Sequence, residues 1–538
     1  MALFLKKLRF EDVPTLSKSS IFELLSQRFK SQEKKLSHIP DPSLLNDAPK
    51  AAKKIADAIR EGKKITLVGD YDVDGVSATA IMVDFFRQIP YPLEAVIPNR
   101  FSDGYGVSPS LLKRIDADLI ITVDNGITAI EAAEICVQRG IELIITDHHT
   151  PLDNLPKAYA IVNPKLSTCS YPFEEICGAQ VAWFLLALLK KELALDIDMR
   201  SFLDILCIAI IADIMPLTDI NRPLVKEGLK VLMNSKRPSS TIIRDFLNKK
   251  NISSEDIAFQ IAPRINSAGR LEDASIALEF FTAQNISKAY MQFEILNSLN
   301  ESRRELEAEA TKEALSIANG DDKVIVIAKE LWHEGVVGIV AARVAERYTK
   351  PAIVLSLEDG VAKGSARSVG SVNIHKLIQE NSRYLTKFGG HKMAAGLALE
   401  EKNIEAFRVA INESASKLNP DDFIALDEVI GILPSSEIDL GLIGLLESFE
   451  PYGEANVRPS FLIKDAEIVE IKLFGKDKSH SKIVIRQFKH ERKTIELILF
   501  KNIFEMPHDK KLTCSYKAIK NEFNSQISIQ LLINKIFL

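Results

Sequence analysis

Between Ile65 and Ser77 the chain reads ITLVGDYDVDGVS, an apolar run that breaks off into Asp70, Asp72 and Asp74 within five residues. Three carboxylates this close repel one another, and bound cations are the ordinary remedy. Two further apolar runs end in the same way. Leu119-Ile120-Ile121-Thr122-Val123 delivers Asp124, Asn125 and Gly126, and the run from Ile141 to Thr146 delivers Asp147, His148 and His149. Another acid, Asp213, closes the apolar stretch Cys207-Ile208-Ala209-Ile210-Ile211-Ala212, where on its own it reads as a buried capping residue. Mostly Asp with one His, and without cysteine, is a ligand set for Mn²⁺ or Mg²⁺ rather than Zn²⁺. Two such cations a few ångströms apart hold a phosphate oxygen, acidify a bridging water and steady a leaving oxygen. These residues therefore suggest metal-assisted phosphoester hydrolysis.

Strands that carry acids into strand-to-helix turns belong to an open, parallel α/β sheet. The apolar patterning predicts strands over 65–68, 93–97, 119–123 and 141–146, with a weaker one at 161–162, and helices over 109–115 and 129–139. An earlier helix is expected over 21–29, followed by a polar, Pro-punctuated link. Beyond Phe173 the chain reads as mainly helical. It ends that region in a long segment, 286–317, apolar at Ala289, Phe293, Leu296, Leu299, Leu306 and Ala310 and crowded elsewhere with Glu, Arg and Lys. That pattern fits an exposed helix joining two domains. A second α/β unit follows, with strands over 324–328 and 352–357 and a helix over 338–348. After about residue 424 short β-rich runs (461–471, 482–487, 494–500, 527–533) suggest a small Greek-key barrel.

A chain of 538 residues exceeds one core, so several domains are expected. Five scattered cysteines without CxxC spacing read as reduced thiols of a cytoplasmic protein. The start, MALFLKKLRFEDVP, lacks an apolar signal core, and no apolar run is long enough to span a bilayer. The net charge of −5 hides an asymmetry. From Val457 to Leu538 there are 16 Lys and Arg against 9 Asp and Glu, whereas the other 456 residues carry 52 against 64. A basic C-terminal module on an acidic body is the profile of a polyanion-binding appendage.

Taken in order, DYDVDG (70–75), NRFSDGYGVS (99–108), VDNG (123–126) and TDHH (146–149) resemble motifs I to IV of the DHH phosphoesterases. RINSAGR (264–270), WHEGVVGIVAARV (332–344), GSARS (364–368) and GGHKMAAG (389–396) resemble the DHHA1 half of that family and its connector. FEPYGEANVRPSF (449–461) is similar to the lead-in to the barrel of the family's bacterial single-strand-specific exonucleases. The likeness runs from about residue 50 to about 470. It implies an α/β fold: a DHH parallel-sheet domain joined by a long helix to a DHHA1 α/β domain, plus a C-terminal OB-like β-barrel. The expected divisions are an N-terminal helical extension at 1–45, the catalytic domain at 46–225, a helical connector at 226–317, DHHA1 at 318–420 and the barrel at 421–538.

The resemblance also implies roles. Asp70, Asp72, Asp74, Asp124, His148 and Asp213 would be ligands of two divalent cations, Mn²⁺ or Mg²⁺. His149 would stand by the scissile phosphate and Asp147 would orient the histidine pair. Arg100, Arg270, Ser365 and Arg367 would contact phosphates, and His391 would sit where glycines let the backbone approach DNA. The implied activity is a 5′→3′ exonuclease on single-stranded DNA, releasing 5′-mononucleotides in repair and recombination. A monomer is expected, and a helicase and a single-strand-binding protein are partners implied by resemblance alone. Two alternatives stand beside it: a phosphodiesterase of short oligoribonucleotides or cyclic dinucleotides, and a non-catalytic single-strand-binding scaffold. Cys177-Gly178-Ala179-Gln180 and Glu454-Ala455-Asn456-Val457 depart from the family text. Both are expected to lie away from the metals.

Overall fold

The structure is a computed structural model that describes residues 13–29, 34–424, 429–475, 478–487, 494–500, 503–523 and 526–537. The reading of the N-terminal stretch falls mostly on residues 1–12, outside the described ones. The chain divides into two compact units, one of residues 38–215 with 224–425, the other of 1–37, 216–223 and 426–538. No helix among the described residues is long and apolar enough to cross a membrane.

The larger unit holds two sheets. In the first, β1 (Ile65–Val68), β2 (Glu94–Val96), β3 (Leu119–Val123), β4 (Glu142–Thr146) and β5 (Ala160–Val162) run parallel in the order β2-β1-β3-β4-β5. β1 and β3 are buried along their whole length, which is why they are apolar without alternation. The order reverses beside β1, so the crevice between the carboxyl ends of β1 and β3 is the switch point of the sheet. Both strands end in the acid motifs. The helix Leu203–Ala212 is buried on nearly every face, and Asp213 caps its C-terminus. The segment predicted as a helix over 109–115 is a single helical turn, Pro109–Leu112.

The second sheet contains β6 (Ile325–Glu330), β7 (Ala352–Glu358), β8 (Val361–Arg367), β9 (Lys387–Gly390) and β10 (Ala394–Glu400), ordered β6-β7-β8-β10-β9. GSARS thus supplies β8, and GGHKMAAG ends β9 and begins β10 around a tight turn. Between the sheets runs the helix Ile286–Ile317, whose 32 residues are capped by Asn285 accepting from Lys288 N at 2.8 Å. At 1.5 Å per residue it spans about 48 Å. Ala289, Phe293 and Leu296 are buried in its first half, while Ala310 and Ala314 join the core under the helix Val337–Tyr348. One rigid rod therefore ties both lobes of this unit.

The smaller unit is a closed barrel. β12 (Ser460–Phe474), β13 (His480–Arg486), β14 (Ile495–Leu499), β16 (Gln526–Phe537) and β15 (Lys511–Phe523) pair in that order, and β15 pairs back onto β12. A short strand, β11 (Val429–Ile432), lies parallel to β12. Closure removes the open sheet edge. The helix Lys18–Phe29 contributes Ile21 and Leu25 to the core of this unit, beside Leu442, Leu446, Phe461 and Tyr516.

Candidate metal and phosphate site

The carboxyl ends of β1, β3 and β4 and the C-cap of the helix Leu203–Ala212 meet at the switch point. His148 Nε2 lies 3.2 Å from Asp124 Oδ1, 3.5 Å from Asp213 Oδ2 and 3.7 Å from Asp74 Oδ2. Ligand atoms of Asp74, His148 and Asp213 form one cluster within 4.8 Å of one another and those of Asp70, Asp72 and Asp124 a second, while a third group, Asp124, His148 and His149, overlaps both. Burial, then the neighbouring acids, pushes Asp70, Asp74, Asp124 and Asp213 above the ordinary carboxylate range. Burial also pushes His148 down to about 4, leaving a neutral imidazole with a lone pair to offer at neutral pH. Asp124 Oδ1 and Asp213 Oδ2 are buried without a hydrogen-bond donor. Acceptors buried without partners are costly, and cations between the two clusters would satisfy both. The donor set fits two divalent cations.

Local geometry explains why these types stand here. Asp72 caps the helix Val73–Phe86, its Oδ1 accepting from Asp74 N at 2.9 Å and Gly75 N at 3.1 Å. Gly75 is required because a Cβ there would sit 2.4 Å from that of Asp70. Asp124 adopts a left-handed backbone, φ 63°, a conformation that aspartate tolerates better than most residues other than glycine. Asp147 has both carboxylate oxygens engaged by hydrogen bonds. Its Oδ1 accepts from His148 N at 2.7 Å, His149 N at 3.0 Å and His149 Nδ1 at 2.7 Å, and its Oδ2 accepts from Ile127 N at 2.9 Å. Against the effect of burial, those hydrogen bonds hold Asp147 low and raise His149 to about 9. His149 is thus a positively charged, half-exposed group at the rim, its ring centroid 4.6 Å from that of His148.

One expectation is overturned. Cys177-Gly178-Ala179-Gln180 does not lie away from the metal acids: it forms the start of the helix Gly178–Glu192, and that start grips Asp74. Gly178 N donates to Asp74 Oδ2 at 2.6 Å and Ala179 N to Asp74 Oδ1 at 2.9 Å. Gln180 Oε1 accepts from Cys177 N at 3.0 Å, which completes the cap. A Cβ on Gly178 would fall 2.4 Å from Asp124 Oδ1. Proximity in space across a gap of a hundred residues left no trace in the sequence pattern.

Facing the acids are cations. Arg270 donates to Gly335 O at 3.1 Å, and burial together with Arg100 and Arg367 pushes it down to about 10. A side chain on Gly338 would fall 3.0 Å from Arg367 Nη2 and 3.1 Å from Ser365 Oγ, so that glycine lets both reach the start of the helix Val337–Tyr348. Arginines that crowd one another without enough carboxylate partners fit a phosphate. Arg100 lies over the Tyr71 ring, 5.4 Å from its centroid, and lines the same cleft as Ser365. His391 stands in the turn between β9 and β10, exposed on one side, and partial desolvation, then His149, lowers it.

Sequence reasoning missed four contributors. Asn125 Nδ2 donates to Val68 O at 3.0 Å and Val123 O at 2.9 Å, and its Oδ1 accepts from Val107 N at 3.0 Å, pinning three motifs together. Asn266 Oδ1 accepts from Val73 N at 3.2 Å, which ties the connector to the first motif. Tyr105 OH lies 3.3 Å from Asp124 O and 3.5 Å from His149 Nε2. Lys387 lines the cleft. Asn125, Asn266 and Tyr105 sit inside recognised motifs, which was the available signal.

Buried carboxylates, two of whose oxygens lack a hydrogen-bond partner, with a cluster of arginines nearby, suit one class of protein: a two-lobed, metal-dependent phosphoesterase. Comparisons narrow this class. Residues 64–210 match the DHH family, N-terminal domain, residues 321–417 the DHHA1 domain and residues 431–535 the RecJ OB domain. The single-stranded-DNA-specific exonuclease RecJ of Dickeya dadantii is 30% identical over 561 residues, covering 98% of this chain and 96% of that protein. RecJ of Bacillus subtilis is 35% identical over 83% of this chain, which spans 58% of that longer protein. The crystal structure of Thermus thermophilus RecJ with Mn²⁺ superposes with a TM-score of 0.79 at 26% identity, over 97% of this chain and 79% of that one; a second structure of it holds Mg²⁺. The chain belongs to the RecJ family of the DHH/DHHA1 phosphoesterases.

Proposed function

We propose that this protein degrades single-stranded DNA from the 5′ end by phosphodiester hydrolysis, releasing 5′-mononucleotides in DNA repair and recombination. One observation carries the reading: buried carboxylate oxygens without hydrogen-bond partners stand close to a cluster of arginines, Arg270 being near enough to feel the charge of Asp72, Arg100 and Arg367. Asp70, Asp72, Asp74, Asp124, His148 and Asp213 would hold two divalent cations, Mn²⁺ or Mg²⁺. When bound, these supply Lewis acidity and a water poised to attack phosphorus. Asp147 fixes the His149 ring, and the positive His149 faces the charge that builds on the phosphate oxygens. Arg100, Arg270, Ser365 and Arg367 hold the phosphates of the terminal nucleotide and so set how far the strand enters. His391, in its glycine-flanked turn, lines the approach.

In this reading residues 46–225 carry the chemistry, 226–317 tie the lobes, 318–420 hold the strand end and 421–538 add a basic barrel for backbone contact and stacking. A nuclease confined to single strands needs duplex opened, so a helicase and a single-strand-binding protein are the partners it calls for. Digestion of end-labelled single strands with added Mn²⁺, Mg²⁺ or EDTA tests the proposal. The expected result is mononucleotides from 5′-labelled strands, lost in EDTA. Activity that survives EDTA, or that begins at the 3′ end, would refute it.

A further inference from the structure

On β8, Lys363, Ser365 and Arg367 share one face, because alternate residues of a strand point the same way. Arg367 stands on the side of Arg270, which itself feels the charge of Asp72. Lys363 is two residues beyond Ser365 in the opposite direction, about 13 Å of strand from Arg367. Across the sheet, Ser365 pairs with Gly396, which pairs with Gly389. The next row outward is Lys363, Ala398 and Lys387. A bare glycine floor is therefore followed by a row with lysine at both ends.

Over that floor lies a cavity of about 380 Å³, walled by Arg100, Glu334, Val337, Lys363 and Lys387. At about 30 Å³ per water it has room for roughly a dozen waters, far more than one phosphate group fills. A nucleobase binds best against an open aromatic face. The aromatic residue in the lining, Phe388, is packed against the core of the DHHA1 lobe. The chemistry of the walls suits an extended anion. Glu334 accepts from Lys363 Nζ at 3.0 Å, so an anion must reach far enough to compete with that carboxylate.

We propose that this cavity is a polyphosphate subsite, so that strands with a 5′-di- or triphosphate are substrates and lose their first nucleotide as a nucleoside 5′-di- or triphosphate. The inference rests on the reading above that Ser365 and Arg367 hold the terminal phosphate; the further phosphates extend from there towards Lys363 and Lys387. Water oxygen bonds to the phosphorus of the first internucleotide linkage, the bond from that phosphorus to the 3′ oxygen breaks, and a water proton ends on that oxygen. The phosphoanhydride bonds stay intact, and the shortened strand keeps a 5′-monophosphate.

The test compares single strands with 5′-monophosphate and 5′-triphosphate ends, with the first product identified by mass spectrometry. The wild-type chain is expected to release nucleoside triphosphate. Lys363→Ala with Lys387→Ala should raise the KM ratio of triphosphate over monophosphate ends about tenfold, and Glu334→Gln should lower it. Inorganic triphosphate should inhibit more strongly than inorganic phosphate. A triphosphate end that blocks digestion, pyrophosphate as first product, or a KM ratio unmoved by these variants would overturn the subsite. Failure of the parent reading looks different: Ser365→Ala with Arg367→Ala would then leave KM unchanged for both ends.

Discussion

Gly178→Ala is the sharpest test of how the site is built. The added Cβ would lie 2.4 Å from Asp124 Oδ1, 2.5 Å from its Cβ and 2.6 Å from its Cγ. Ordinary contact begins near 3.4 Å, so the Asp124 carboxyl or the helix start must move by about 1 Å. The helix start cannot retreat cheaply, because Gly178 N donates to Asp74 Oδ2 at 2.6 Å. Two effects bear on stability: alanine in place of glycine in a helix gains about 1 kcal/mol, and overpacking costs about 1–3 kcal/mol. Folding should therefore change by no more than about 2 kcal/mol. Activity should not escape so lightly, since a displacement of about 1 Å in a reacting constellation costs on the order of a hundredfold. The assay pairs a denaturant titration with initial rates on a 5′-labelled single strand across a Mn²⁺ series. A variant with wild-type rate and Mn²⁺ dependence would refute the argument that Gly178 exists to seat Asp74 against Asp124.

Asp72→Asn keeps the helix cap but removes a negative charge, so it should abolish hydrolysis while the unfolding midpoint stays close to wild type; Asp72→Ala should in addition lose about 1 kcal/mol of stability, read by chemical denaturation. The raised carboxyls Asp70, Asp74, Asp124 and Asp213 keep their protons longer folded than unfolded. Their contribution is therefore fully present at acid pH and is lost as pH rises above the ordinary carboxylate range, so Mn²⁺ should raise the melting temperature more near pH 8 than near pH 5. Equal shifts at both would count against the clusters as the binding groups. Arg237 joins Asp204, which is buried, at 3.1 Å, and Asp84, which is partly buried. Arg237→Met should cost about 3–5 kcal/mol in a denaturant titration by leaving the buried Asp204 without a cation, while Asp84 keeps Arg87 at 3.0 Å.

Much of this was legible because β1, β3 and β4 are short, apolar and punctuated by acids, so that pattern and position agree. The long helix was legible for a similar reason: Ala289, Phe293, Leu296 and Ala310 recur at helical spacing. Asp213 looked like a helix cap, and it is one; its place beside His148 depends on where that helix ends in space. The grip of Gly178 on Asp74 was illegible because it joins distant segments through backbone N–H groups, which no side-chain type announces. The bare floor at Gly389 and Gly396 needed strand register, and register between β9 and β10 cannot be read from composition.

The carboxylates and histidine of the site come from four stretches, ending at Asp213, and Asn266 buttresses the first of them from farther along. No shorter nascent chain contains the whole set. At ordinary translation rates the interval between making Asp74 and Asp213 is on the order of ten seconds. Until Asp213 has been made and the helix ending there has packed into the fold, the growing polypeptide lacks part of its acidic set, so the set closes late in synthesis.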